Sequence, residues 1–162
     1  MSYINAIKNY EIHQEATTTS QVISDTYVEL SGSRVNYTPK NYNSIVILSV
    51  SQLFDRSPDW NSKIQMKLQE STDNFSSVVN DVSGSHTRIQ SIGSNSNGYN
   101  NGTDFWFFEN QVTLNGWTGK KYFRVMISSG DTNSECTVQQ TPVWESSNNV
   151  ASPPPSVLIK EI

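Results

Sequence analysis

The chain has 162 residues, enough for one well-packed domain and too few for two comfortable ones. Charged residues make up only 16%, against roughly 25% in an average soluble domain, and the formal net charge is −4. With no Lys/Arg cluster beyond Lys120-Lys121, the chain lacks the basic stripe of a nucleic-acid binder, and no nucleic-acid partner is expected.

Ser (25 copies) and Asn (17 copies) stand where the charges would be. Their side chains compete with the backbone for hydrogen bonds and so disfavour helix interiors. With abundant Val, Ile, Thr and aromatics, they predict an all-β protein. Cys136 is alone, so no intrachain disulfide is expected. The opening MSYINAIKNYEIHQ holds no apolar run of signal-peptide length, and residues 45–48 and 105–108, the longest apolar runs, are too short to cross a bilayer as a helix. No membrane insertion is expected. Sequons beginning at Asn36, Asn74 and Asn101 are what chance delivers in so Asn- and Ser-rich a chain.

Residues 1–24 read differently from the rest. Tyr3, Ile7 and Tyr10 recur at about a helical turn, yet Asn5 and Asn9 are poor helix formers, and residues 17–20 (TTTS) are a polar spacer. The stretch is expected to be an arm that attaches the domain, residues 25–162, to a larger assembly. From Asp25 strand signals follow at short intervals. Residues 26–30 alternate, Gly32 turns the chain, and residues 34–38 lead into Pro39. Residues 44–54 (SIVILSVSQLF) are the longest strand candidate, with Val46, Leu48, Val50 and Phe54 on one face and Ile45, Ile47 and Leu53 on the other. A strand apolar on both faces is covered on both, whereas a two-layer sandwich covers only one, so an oligomer is expected. Residues 63–69 (KIQMKLQ) turn Ile64, Met66 and Leu68 inward and a wet face outward. Residues 78–82 and 87–92 are shorter strand candidates, and residues 93–104 (GSNSNGYNNGTD) form a loop that exposes Tyr99.

Residues 105–128 are expected at the centre of the fold. FWFFENQVTL (105–114) and the run with Phe123, Val125 and Ile127 on one face and Tyr122, Arg124 and Met126 on the other read as neighbouring strands, joined by a tight turn at Asn115-Gly116. After a turn at Gly130-Asp131, residues 135–140 alternate around Cys136 and Val138, residues 142–145 carry Trp144, and residues 148–155 read as an irregular Pro-rich stretch. SVLIKEI (156–162) closes as an interior strand stiffened by the three prolines before it. Its Val157 and Ile159, with Ile45 and Ile47, are the expected oligomer interface. About eight strands and no convincing helix predict a β-sandwich, a jelly roll.

Catalytic constellations are thin. His13 and His86 are the two histidines, no GxSxG elbow exists, and with so many serines a Ser near a His carries no information. The carboxylate pairs Asp55/Asp59, Asp104/Glu109 and Asp131/Glu135 each have a plainer role as turn or strand-edge residues. Asp131-Thr-Asn133-Ser-Glu135 opens like a calcium loop but lacks its Gly and distal Glu, and no His/Cys spacing suits zinc. No enzyme activity, metal or cofactor is expected. Exposed aromatics are the remaining resource, since they stack on sugars; from Trp60, Tyr99, Trp106, Trp117 and Trp144, the best candidate is Tyr99, with Asn97 and Asn101 beside it as a ligand-binding loop. Trp106 and Trp117 are expected in the core or an interface.

Two blocks resemble structural and tail-fibre-like proteins of marine tailed bacteriophages, cyanophages among them. The first is Val35-Asn-Tyr37-Thr-Pro39-Lys followed by Ser44-Ile-Val-Ile. The second is Trp117-Thr-Gly119-Lys-Lys-Tyr122-Phe-Arg124, then Glu135-Cys-Thr137-Val-Gln-Gln140-Thr141, Trp144 and the terminal Val157-Leu-Ile159-Lys-Glu-Ile162. The likeness runs over about residues 25–162, with Gln139 where the family pattern has His and Glu145-Ser146 replacing an Asp-Gly turn. It implies a C1q/TNF-like trimeric jelly roll on a virion surface, assembled in host cytoplasm, with itself and other virion proteins as partners and host surface glycan as a candidate ligand. Capsid decoration or head fibre, and tail-fibre component, are the two placements; a glycan-binding receptor tip is the alternative, with a capsule depolymerase behind it.

Overall fold

Alternation of apolar and polar side chains builds two antiparallel sheets, and their apolar faces meet to form the core. The computed structural model describes residues 9–14, 21–55, 63–85, 87–90, 105–129, 136–138, 140–142, 149–151 and 155–162. In chain order the strands are β1 (Asn9–Gln14), β2 (Gln21–Ile23), β3 (Val28–Glu29), β4 (Val35–Tyr37), β5 (Val46–Asp55), β6 (Lys63–Ser71) and β7 (Asn80–Asp81). They continue with β8 (Thr87–Gln90), β9 (Phe105–Leu114), β10 (Lys121–Ser128), β11 (Cys136–Val138), β12 (Gln140–Pro142), β13 (Asn149–Ala151) and β14 (Ser156–Glu161). Among the described residues there is no helix, and the all-β sandwich expected from composition is what forms.

In the first sheet, called A, β14 lies between β1 and β5 and is antiparallel to both. The other edge of β5 pairs with β9 along its whole length, from Val46↔Leu114 to Asp55↔Phe105, while β11 joins the far end of β5 to β2. In the second sheet, B, β10 pairs with β6 on one side and with β4 and then β3 on the other; β6 carries β8 and β7 on its outer edge. β12 and β13 form a separate two-stranded ribbon. The core lies between A and B: Val46, Leu48, Val50, Val157 and Ile159 face Ile64, Met66, Leu68, Phe123, Val125 and Ile127.

Buried serines complete the B ladder where short strands leave gaps. Between β3 and β4 the Ser33 hydroxyl accepts the Val125 N–H at 3.0 Å, and beyond β7 the Ser85 hydroxyl accepts the Leu68 N–H at 3.0 Å. Orphaned buried N–H groups are rare because each costs a lost hydrogen bond, and a short hydroxyl side chain is a compact substitute for a strand.

Three sequence expectations need correcting. The stretch 1–24 is not wholly an arm outside the domain: β1 is hydrogen-bonded to β14 through six residue pairs, and β2 brings Ile23 fully into the core. The strands flanking Asn115-Gly116 are not neighbours, since β9 belongs to A and β10 to B. Their link is a passage between layers rather than a two-residue hairpin turn, bent at Gly116 (φ 73°) and Gly119 (φ 82°), and Trp117 plugs it, meeting Phe123 edge-on at 6.2 Å. Finally, Asn149–Ala151, expected to be irregular, pairs with Gln140–Pro142.

Candidate functional site

The outer faces of the two sheets have opposite chemistry. On A, register places Tyr10, Lys160 and Ile47 in one row, Ile12 beside Leu158 in the next, and Ile45 against Ile162, the last pair joined by reciprocal backbone bonds of 3.2 and 2.9 Å. Tyr10 (55%), Ile12 (60%) and Ile45 (42%) remain exposed, and Ile47, Leu158 and Ile162 are half-buried. β1 is reversed relative to an ordinary edge strand. Its inward residues, Asn9, Glu11 and His13, share a side with buried Glu161, Ile159 and Val157, whereas its apolar Tyr10 and Ile12 point away from the core. This strand contributes its hydrophobic side chains to a surface that nothing described in the chain covers.

On B the outer face is a lattice of ion pairs and amides. The Arg34 guanidinium grips Glu29 through Nε (3.0 Å) and Nη2 (2.5 Å), and Arg124 Nη1 reaches the same carboxylate at 3.0 Å. Burial works against the Glu29 charge, but the hydrogen bonds from Arg34 and Arg124 outweigh it and hold the carboxyl below its ordinary range. Arg124 Nε donates to Gln69 Oε1 (3.0 Å), Gln69 Nε2 donates to Asp81 (2.8 Å), and Lys67 pairs with Asp81 at 2.9 Å. Aromatic rings underlie the cations: Arg124 and Arg34 lie 4.2 and 5.2 Å from the Phe75 centroid, Lys67 4.8 Å from Tyr27 and Lys120 5.9 Å from Tyr122.

Phe75 reaches its place through strained backbone. Asn74 (φ 57°) and Phe75 (φ 64°) are both left-handed, uncommon for Asn and exceptional for an aromatic residue. Asp73 holds the turn. Its carboxylate accepts the Ser71 hydroxyl, the Ser77 hydroxyl and N–H, and the Val78 N–H, bonds that pull its pKa far below the carboxylate range.

At the edge of the sandwich, Glu161 is fully buried. Its carboxylate accepts the Tyr37 hydroxyl at 2.5 Å and the Lys40 N–H at 2.9 Å, and Asn9 Nδ2 donates to the Tyr37 oxygen at 3.2 Å and to Glu11 at 2.7 Å. Burial pushes the Glu161 pKa up, but Ser44 beside it, Tyr37 and the Lys40 amide outweigh that and keep the carboxyl below its usual range, although Ser44 Oγ itself has no well-aligned partner. Burial, with Glu161 next to it, pushes the Tyr37 phenol up to about 12. With Glu161 closed to solvent, this cluster is a clasp between A and B, and no substrate reaches it.

The residues singled out from sequence are scattered. Ile45 and Ile47 do lie on the outer A face. Val157 and Ile159 do not: β-alternation turns them inward, at 0% and 1% exposure, so they belong to the chain's own core. Asn97, Tyr99 and Asn101 lie outside the described residues, as do Trp60, Trp144, His86, Asp59, Asp104, Asp131 and Glu135. Trp117 is in the core as expected, and His13 Nε2 lies 3.2 Å from Glu11. Among the described residues no three His, Cys, Asp or Glu gather as a metal-binding group. Sequence reasoning missed Tyr10 and Ile12, whose alternation with Asn9, Glu11 and His13 was the available signal, and the Phe75 turn, which left none. No family model matches the chain, and neither does any curated protein.

Proposed function

We propose that the chain is a non-catalytic surface component of a tailed-phage virion, a capsid decoration, head-fibre or tail-fibre protein, that assembles as a homotrimer through the outer face of sheet A. The reversed strand β1 carries this reading: a strand that turns Tyr10 and Ile12 away from its own core can bury them only against a partner. A cyclic trimer, with three A faces turned to a common axis, supplies that cover from copies of the same patch. The strand order also favours a jelly roll, β1-β14-β5-β9 facing β3/β4-β10-β6-β7/β8 with the chain passing between layers. The virion context rests on the family resemblance in residues 25–162. Multi-angle light scattering of the purified chain should give three times the chain mass, and antibody against it should decorate intact particles at one site, on the head or along the tail. A monomer at micromolar concentration sinks the assembly, and unlabelled particles sink the location.

A further inference from the structure

We propose that the outer face of sheet B is a binding site for acidic sugars, with Arg34 and Arg124 as the carboxylate clamp and Tyr122 as the stacking platform. The inference rests on the surface-display reading, in which B faces away from the trimer axis.

The chain as a whole is acidic, yet among the described residues the carboxylates paired with Arg34, Lys67 and Arg124 on this face are Glu29 and Asp81, and Lys120 lies over Tyr122. The nearby Asp73 carboxylate is turned into its own turn by Ser71, Ser77 and Val78. The guanidiniums are pre-oriented: Phe75 lies against both, and Glu29 binds both. They are also not spent. Among the described residues Arg124 uses Nε and Nη1 only, leaving Nη2 without a protein partner, and the contact of Arg34 Nη1 to Asn74 is a long 3.5 Å. Unspent N–H donors on two neighbouring guanidiniums held in place can converge on one carboxylate. Tyr122 projects from the same face of β10 two residues before Arg124, about 7 Å along the strand, within the span of one acidic sugar. An acidic peptide would use the arginines but has no need of the ring; a sugar uses both. The strain at Asn74 and Phe75 fits, because it places the Phe75 ring against both guanidiniums.

The test titrates the full chain with oligogalacturonate, its neutral methyl ester, dextran sulfate and poly-glutamate, with light scattering in parallel. Oligogalacturonate should bind, the ester should bind about tenfold more weakly or not at all, and affinity should fall with salt. Arg34→Gln, at an exposed position, should lose about tenfold with the trimer intact and the melting midpoint lowered only slightly, since Arg124 still holds Glu29, and Tyr122→Ala should weaken binding as well. No binding of oligogalacturonate, equal binding of poly-glutamate, tighter binding of dextran sulfate, or unchanged uronate affinity in both variants overturns the site. Loss of the site with the trimer intact leaves the assembly standing, and a monomer that still binds uronate refutes the assembly alone.

Discussion

At the scale of single residues, the Tyr37–Glu161 bond makes stability depend on pH from both sides. The folded Glu161 and Glu29 carboxyls titrate below their unfolded values, so their contribution is complete above about pH 4.5 and fades as pH falls through the folded values. Tyr37 does the opposite. Its folded pKa is raised to about 12, so its contribution is complete below about pH 10 and is lost as pH climbs from there toward 12. Thermal melts should therefore show a plateau from roughly pH 5 to pH 10. Tyr37→Phe should remove the alkaline limb and cost about 1–3 kcal/mol at neutral pH, because Glu161 keeps its charge with one donor fewer; a variant whose melting curve keeps the alkaline limb would show that another group titrates there. Part of this was legible. Alternation puts Glu161 on the same side of its strand as Val157 and Ile159, but its partner lies 124 residues earlier, and no local pattern announces a contact of that range.

Single elements behave differently from what their composition suggests. β1 looks like a loose polar segment until its two sides are separated, and then it reads as a strand with an outward apolar side. Tyr10→Ser with Ile12→Ser should leave the fold and the chain's solubility intact while shifting the trimer toward monomer, measured by sedimentation. Starting the chain at Ser24 should do more, since it deletes both strands and the buried Ile23, and should give insoluble or poorly melting protein. The β9–β10 link was misread for a physical reason: consecutive strands joined by a turn dipeptide usually pair, and nothing in the local alternation tells a hairpin from a step to the other layer. Gly119 tests the step. A Cβ there would meet no heavy atom within 4 Å, so Gly119→Ala should cost only the backbone strain of positive φ, about 1–2 kcal/mol. Calorimetry giving no loss would mean the link relaxes freely.

For the whole molecule, an exposed apolar patch on A stands opposite an ionic face on B, and the proposed trimer would turn the first inward and the second outward. Core residues and fold class were readable because alternation is local, as at Ile64, Met66 and Leu68 or Phe123, Val125 and Ile127. Which apolar residues face the core and which face outward was readable for Ile45 and Ile47 and not for Val157 and Ile159, because a short run of apolar residues conceals which of them point inward. Ile47→Asp should dissociate the trimer, since an unpaired charge desolvated at an interface costs on the order of 3–5 kcal/mol; a trimer of unchanged mass in light scattering would place the contact elsewhere.

β14 has a further consequence, which concerns time. It sits between β1 and β5 yet leaves the ribosome after every other strand of the sandwich. Until it emerges, one edge of β5 lacks most of its pairing, β1 has no neighbour to dock on, and the inward faces of Val46, Leu48 and Val50 lack Val157 and Ile159 beside them. Sheet A is thus unable to close until β14 has been made, and its folding waits for that strand. The interval is one in which an unpaired β5 is open to wrong partners, so stalled chains lacking β14 should be found with chaperones or in aggregates, while chains that have released β14 should fold quickly and assemble.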